Sequence, residues 1–272
     1  ALTSLEKIKD KDPRMQSAYQ IIVFNRAVEQ FHNRDYEDAV GSFELVGRYP
    51  IDQKLNALSE FWKAECYYRL EKYEEAITSY EKYRYTNGVL LTTEYEDLDY
   101  HLGYAYFEKA KPYSSIKSYN LKNQKLDLKE SIKYFRNYIH QYNIPDSSKF
   151  RSALVRIADA YFVLKDDSLA IENYKKSLAI EGFNHSYALY QMSTSQGLIQ
   201  DYDGKMQTLQ QLTDEYPNSR YQVLSLLNLA QTYKDLEKNT EAINTYLKFI
   251  DEYPNNNYIS TAHVEVGSIY IK

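Results

Sequence analysis

The sequence predicts an all-α chain of stacked antiparallel helix pairs, on three observations. A unit of about 37 residues recurs, helix-breaking residues are scarce, and the apolar content is carried by rings. Segments beginning at Ala39, Ala76, Ser131, Ala170, Lys205 and Ala242 each place a large apolar residue four positions on: Phe43, Tyr80, Phe135, Tyr174, Leu209 and Tyr246. Their start-to-start spacings are 37, 55, 39, 35 and 37, and a period of this size is the mark of helical-hairpin arrays. Only 8 Gly and 6 Pro occur in 272 residues, which argues against sandwiches and glycine-rich nucleotide loops. The rings are 30 Tyr, 10 Phe and one Trp, enough apolar surface to argue against disorder.

Each unit reads as a first helix, A, and a second helix, B. Twelve residues before the anchors lie the small residues Ala27, Ala64, Ala158, Ser193 and Ala230, the unit anchored at Ser131 being the exception. Three residues further on come Gln30, Tyr67, Tyr161, Gln196 and Tyr233. In the sixth unit Leu226, Leu229, Ala230 and Tyr233 share one helical face, residues 238–241 turn the chain, and Ala242, Tyr246 and Phe249 form the next stripe. Asp12 before Pro13, Asp35, Ser147, Asp166 and Ser219 are the expected N-caps, and the Tyr-Pro-Asn runs at 216–218 and 253–255 the expected ends of B helices. The turns keep the same beat: Pro13, Pro50 and Asn87-Gly88, then Pro145 and Gly182, then Pro217 and Pro254, are each 37 residues apart.

The expected organisation follows. Residues 1–19 hold the tail of a preceding B helix and the start of the first A helix. Residues 20–272 hold six repeats and the first helix of a seventh, an array expected to continue beyond both ends. The spacing of 55 marks an insertion at 111–126, expected as an exposed excursion because Pro112 opposes helix continuation and no apolar stripe runs through it.

Charge and composition exclude several function classes. With 33 basic and 38 acidic residues the net charge is −5, without the basic footprint of a nucleic-acid binder. Tyrosine aside, the longest apolar run is Ile21 to Phe24, where a membrane span needs about 20 residues. One cysteine, Cys66, can form neither an intramolecular disulfide nor a thiolate zinc site. Glu29 and His32 have the i, i+3 spacing of half a dimetal site, but such sites need a second copy on a facing helix; a surface pair is the plainer reading. Asp97, Asp99 and His101 lie within a turn and a half, and the acidic run beginning at Glu94 suits a helix N-terminus. No catalytic residue, metal or cofactor is expected.

The small-xx-aromatic pattern in helix A and Ala-xxx-aromatic in helix B, with the Leu-Gly-xx-Tyr runs at 102–106 and, with Val in place of Leu, 266–270, resembles the tetratricopeptide repeat. The resemblance implies a right-handed superhelical solenoid of antiparallel helix pairs, with the A helices lining a concave groove. Lys205, Gln30 and Gln196 depart from the pattern, so their junctions are expected to be weak. The groove positions implied are Phe24 and Phe31, Phe61 and Tyr68, Tyr100 and Phe107, Phe162 and Tyr190. Aromatics there suit an extended or helical peptide, and equally suit packing between repeats.

Chaperone-tail-binding members of the family carry a carboxylate clamp of Lys and Asn. Here Phe24, Val28, Glu65, Asp97 and His101 stand at those positions, so no C-terminal carboxylate ligand is expected. Glu65, Asp97 and Asp159 read as an acidic groove edge favouring a neutral or basic partner. In the insertion, Lys111, Lys117, Lys122 and Lys125 read as a docking element for an acidic partner or a lipid headgroup surface, or else as part of a mobile solvated loop. The loops at 214–221 and 251–258 and the long period are similar in style to repeats of bacterial cell-envelope proteins, such as the Tol-Pal coordinator and the outer-membrane assembly lipoprotein. That similarity implies a periplasmic or outer-membrane-associated scaffold, attached if at all through other parts of the chain; the bacterial cytoplasm is the alternative. Two other readings stay open: a structural spacer without a dedicated ligand, and an α/α-type enzyme.

Overall fold

Four helix starts, at Pro13, Gln53, Asp167 and Tyr202, fall where a carboxylate caps them, while Asp35 precedes Tyr36 without a side-chain cap bond. The computed structural model describes residues 6–111, 121–141, 148–180 and 185–271, divided into two units, residues 1–143 and 144–272. The first unit holds α1 (Pro13–His32), α2 (Tyr36–Val46), α3 (Gln53–Arg69), α4 (Tyr73–Arg84), two short 3-10 turns (Val89–Leu91 and Glu94–Asp97), α5 (Leu98–Lys109) and α6 (Leu121–Gln141). Asp12 accepts from the Met15 amide and Asp52 from that of Leu55, so α1 and α3 begin where a free donor meets a carboxylate.

The second unit holds α7 (Ser148–Val163), α8 (Asp167–Leu178), α9 (Ser186–Leu198), α10 (Tyr202–Glu215), α11 (Gln222–Asp235), α12 (Asn239–Glu252) and α13 (Ile259–Tyr270). Asp166 and Asp201 cap α8 and α10. Each unit is thus an all-α stack of paired antiparallel helices, the architecture the period predicts. Tyr216 and Tyr253 end α10 and α12 with nearly the same backbone angles, each held out of the helix by the proline that follows.

The core is the seam between helices A and B of each pair. The anchors Phe43, Tyr80, Phe135, Tyr174, Leu209 and Tyr246 are all buried, facing Ala27, Ala64, Ala158, Ser193 and Ala230, which are buried as well. The pair without a small residue at the expected spacing is completed by Gly103. A Cβ there would lie 2.7 Å from the Phe135 ring, and the Gly103 carbonyl accepts from the Ser131 hydroxyl at 2.8 Å. The insertion moves the small residue further from its anchor in sequence but not in space.

Five A-to-B turns share one geometry. Arg34, Glu71, Lys165, Gln200 and Glu237 have φ between 59° and 68°. In each turn this residue's amide bonds the carbonyl three back, and the next amide bonds the carbonyl five back, as Glu71 to Tyr68 and Lys72 to Tyr67. This is the Schellman ending, built here without its usual glycine. Left-handed backbone costs an L-residue about 1–2 kcal/mol. Glu71→Gly and Glu237→Gly are therefore expected to stabilise the chain by about 0.5–1 kcal/mol each, net of glycine's extra freedom when unfolded, as a higher midpoint in urea melts.

Successive pairs are joined by side chains reading backbone. Gln20, buried in α1, donates to the Asp52 carbonyl at 3.0 Å and accepts from the Asp52 amide at 2.7 Å. Gly88, with φ 88°, lies against α3, where a Cβ would meet the Gln53 carbonyl oxygen at 2.4 Å.

Three expectations need correction or placing. Ser219 does not cap α11, which starts at Gln222; its hydroxyl accepts from the Tyr221 amide, closing the turn before the helix. Within the expected insertion, residues 121–126 are helical, forming the first turns of α6, which begins at Leu121. They lack an apolar stripe because they extend past the seam, held by the Gln124 amide on the Ala110 carbonyl at 3.0 Å; the buried stripe starts at Asp127 and Leu128. Residues 112–120 with Lys117, residues 142–147 with Pro145 and Ser147, and residues 181–184 with Gly182 lie outside the described residues.

Candidate interaction surface on the A helices

The expected groove aromatics divide by burial. Phe61 and Phe107 are 4 % and 6 % exposed. Phe24, Phe31, Tyr68, Tyr100, Phe162 and Tyr190 are half-buried. The half-buried groove rings of the first unit pack against neighbouring rings: Phe24 edge-on to Phe43 at 5.9 Å, Phe31 on Tyr36 and Trp62 at 5.5 and 5.0 Å, Tyr68 on Tyr73 at 5.6 Å, Tyr100 on Tyr104 and Tyr138 at 4.9 and 5.3 Å. Phe31 to Trp62 and Phe61 to His101 join A helices of successive pairs. In the second unit Tyr190 stacks on Tyr221 at 5.1 Å, and the Lys165 ammonium lies 5.6 Å from the Phe162 ring.

The acidic groove edge is not available as read. Glu65 and Asp159 are buried and already engaged. Glu65 accepts from the Tyr80 hydroxyl and pairs with His101 Nδ1 at 2.8 Å. Asp159 accepts from Tyr174 at 2.6 Å, Tyr187 at 3.0 Å and Arg156 at 2.5 Å. In the sixth pair Gln231 accepts from Tyr246 at 3.1 Å. An acceptor one residue after the small position therefore meets a B-helix tyrosine fifteen residues on. Where B carries Phe43, Phe135 or Leu209, the corresponding A residue is Val28, Tyr104 or Thr194, so the B-helix tyrosine and a carboxylate or amide acceptor come and go together. That pairing was readable in the sequence.

The two carboxylates titrate in opposite senses. Burial alone would raise Glu65, but the bonds from His101 and Tyr80 and the charges of His101 and Arg69 outweigh it and hold the carboxyl below its usual range. For Asp159 burial prevails over Arg156 and the two tyrosines, and the carboxyl is raised. A lowered carboxyl contributes stability that is lost as pH falls through its folded value; a raised one favours the fold as pH falls toward it. Below about pH 5, Glu65→Gln should make stability in the first unit fall less steeply with acidification, and between about pH 7 and pH 4 Asp159→Asn should make it fall more steeply in the second, hydrogen exchange reading the units separately.

Other singled-out residues take ordinary places. Glu29 and His32 are exposed. Asp99 is buried against Arg84 at 2.6 Å. Cys66 is buried, and desolvation with the nearby Glu65 charge pushes its thiol up to about 12, so it packs as an apolar group. Lys205 is accommodated because Gly197 faces its chain, a Cβ there lying 3.3 Å from Lys205 Cδ; burial pushes its ammonium down. Gln196 is buried and its Oε1 lacks a hydrogen-bond partner. Among the described residues no group of three or more His, Cys, Asp or Glu could hold a metal ion, and no helix is long and apolar enough to cross a membrane.

On the lysine element, Lys111 pairs with Glu108 at 2.6 Å, while Lys125 on α6 is exposed; Lys122 lies on the same exposed turn.

Small residues under large apolar anchors along the seams, and A helices joined ring to ring in the first unit, define a helical-repeat protein. Two tetratricopeptide-repeat models match parts of the chain, one over residues 24–88 and the other over residues 187–219 and 224–256. No curated protein matches the sequence. The fold is similar to the C-terminal part of a TPR repeat-containing protein from Cytophaga hutchinsonii, at TM-score 0.64 and 16% identity over 89% of this chain and 84% of that one. It is similar also to PilW, a widely conserved type IV pilus biogenesis factor, at TM-score 0.53 and 18% identity over 89% and 97% of the two chains. A third likeness is to Pseudomonas aeruginosa PilF, at TM-score 0.55 and 13% identity over 92% and 99%.

Proposed function

We propose that this chain is a non-catalytic protein-interaction scaffold that holds a peptide or protein partner against the A-helix face, in bacterial cell-envelope assembly or maintenance. The observation that carries the reading is the set of half-buried rings Phe24, Phe31, Tyr68 and Tyr100, each packed against neighbouring rings yet partly exposed. Rings already ordered lose little freedom when a ligand covers them. Phe162 and Tyr190 offer similar chemistry within the second unit taken by itself, while Phe61 and Phe107 are buried and serve packing. The fold likeness to PilW and the envelope-style loops support a periplasmic or outer-membrane-associated setting. Lys122 and Lys125 act as a second docking element for an acidic partner.

The test is capture from bacterial envelope extract with the Tyr68→Ala/Tyr100→Ala chain, checked for unchanged helicity by circular dichroism. Loss of the captured partners supports the groove. Retention of every partner would leave the rings as packing between repeats and favour the spacer reading.

A further inference from the structure

We propose that the chain associates head to tail with a second copy of itself, the loop between α4 and α5 of one copy seating on the start of α6 of the next. The inference rests on reading the α6 lysines as a docking element and supplies their acidic partner.

The loop presents Leu90 and Leu91, 79 % and 62 % exposed, yet it is firmly anchored. Val89 and Thr92 on either side are buried. The Thr92 hydroxyl bonds Tyr83 and the Val89 carbonyl, and Gly88 sits against Gln53 without room for a Cβ. Adjacent leucines held out on an anchored turn mark a contact surface. Glu94, half-buried, and Glu96, exposed, lie three and five residues past Leu91, adding acidic charge to the apolar turn.

The start of α6 has the complementary character. Leu121 and Leu126 are 76 % and 53 % exposed, with Lys122, Lys125 and Lys129 among them. Both surfaces belong to the first unit, at opposite ends of α5: the loop leads into Leu98, and the α6 start is bonded to Ala110 just past Lys109. Twelve helical residues separate them by about 18 Å, so they cannot meet within one copy. Between copies they can, in a heterologous contact that adds copies in line.

Patches of this size give weak association, so the experiment is sedimentation velocity from about 10 µM to about 1 mM at low and high salt. The weight-average mass should rise with concentration and fall with salt. Leu90→Ser/Leu91→Ser and Lys122→Glu/Lys125→Glu should each weaken association by about tenfold or more, with circular dichroism unchanged. Mixing the Glu94→Lys/Glu96→Lys chain with the Lys122→Glu/Lys125→Glu chain should restore it. A mass that stays monomeric throughout, or association that both variants leave intact, overturns the proposal. A polyglutamate peptide, followed by NMR at Lys125, separates the layers. If it binds while the chain stays monomeric, only the self-association falls; if it does not bind either, the lysine docking element falls with it.

Discussion

Phe135→Ala is expected to lower the stability of the first unit by about 3–5 kcal/mol, read as a shift of the first transition in urea. The ring is fully buried and edge-on to Tyr104 at 5.1 Å and Tyr100 at 6.0 Å. It fills the only space Gly103 leaves, so truncation opens a cavity that the short α5 cannot close by sliding, being tied through Ser131 to the Gly103 carbonyl. The reciprocal change gives a control. Gly103→Ala thrusts a Cβ to within 2.7 Å of the same ring, and an overpacked seam costs about 1–3 kcal/mol. Phe135→Leu should recover part of that loss when combined with Gly103→Ala. Strict additivity of the two changes would mean that they do not share one space.

Glu65→Val and Tyr80→Phe are each expected to cost about 1–3 kcal/mol, and together distinctly less than their sum. The first leaves the fully buried Tyr80 hydroxyl and His101 without their acceptor. The second leaves a buried carboxylate with His101 alone. Combined, they recreate the apolar Val28 and Phe43 pair of the first repeat. A double-mutant cycle by urea melts measures the coupling, and a coupling near zero would show that hydroxyl and carboxylate do not act as a unit. Asp159 with Tyr174 should behave alike, but with Tyr187 and Arg156 still facing the carboxylate.

What the sequence makes legible is whatever repeats in residue type. The anchors, the small positions of five repeats and the Pro-closed B helices all lie where the period places them. Gly103 escapes a fixed count of twelve because the insertion moves that count to Tyr119, although the Leu-Gly-xx-Tyr pattern marks the residue. The left-handed turns escape because Arg34, Glu71, Lys165, Gln200 and Glu237 share a conformation and no chemistry. Glu65 and Asp159 were misread as a groove edge because helical spacing places a residue on a face without saying how a neighbour covers it. For the same reason, spacing alone does not separate the buried Phe61 from the half-buried Tyr68. Covering depends on the partner helix fifteen residues away, and only pairing residue types across that distance would have shown it.

The Gln20 clasp has a mechanical meaning. One side-chain amide holds both backbone groups of Asp52, the residue that also caps α3, so the link between the first two pairs has two parallel bonds. Two parallel bonds resist twisting in a way that one cannot, since rotation about either stretches the other. A load applied to α1 is therefore passed to the start of α3 as torque as well as tension. The first two pairs should turn together as one body under force, and Gln20→Leu, which keeps the volume and removes both bonds, should loosen that coupling to what the Phe31–Trp62 contact and the surrounding packing supply.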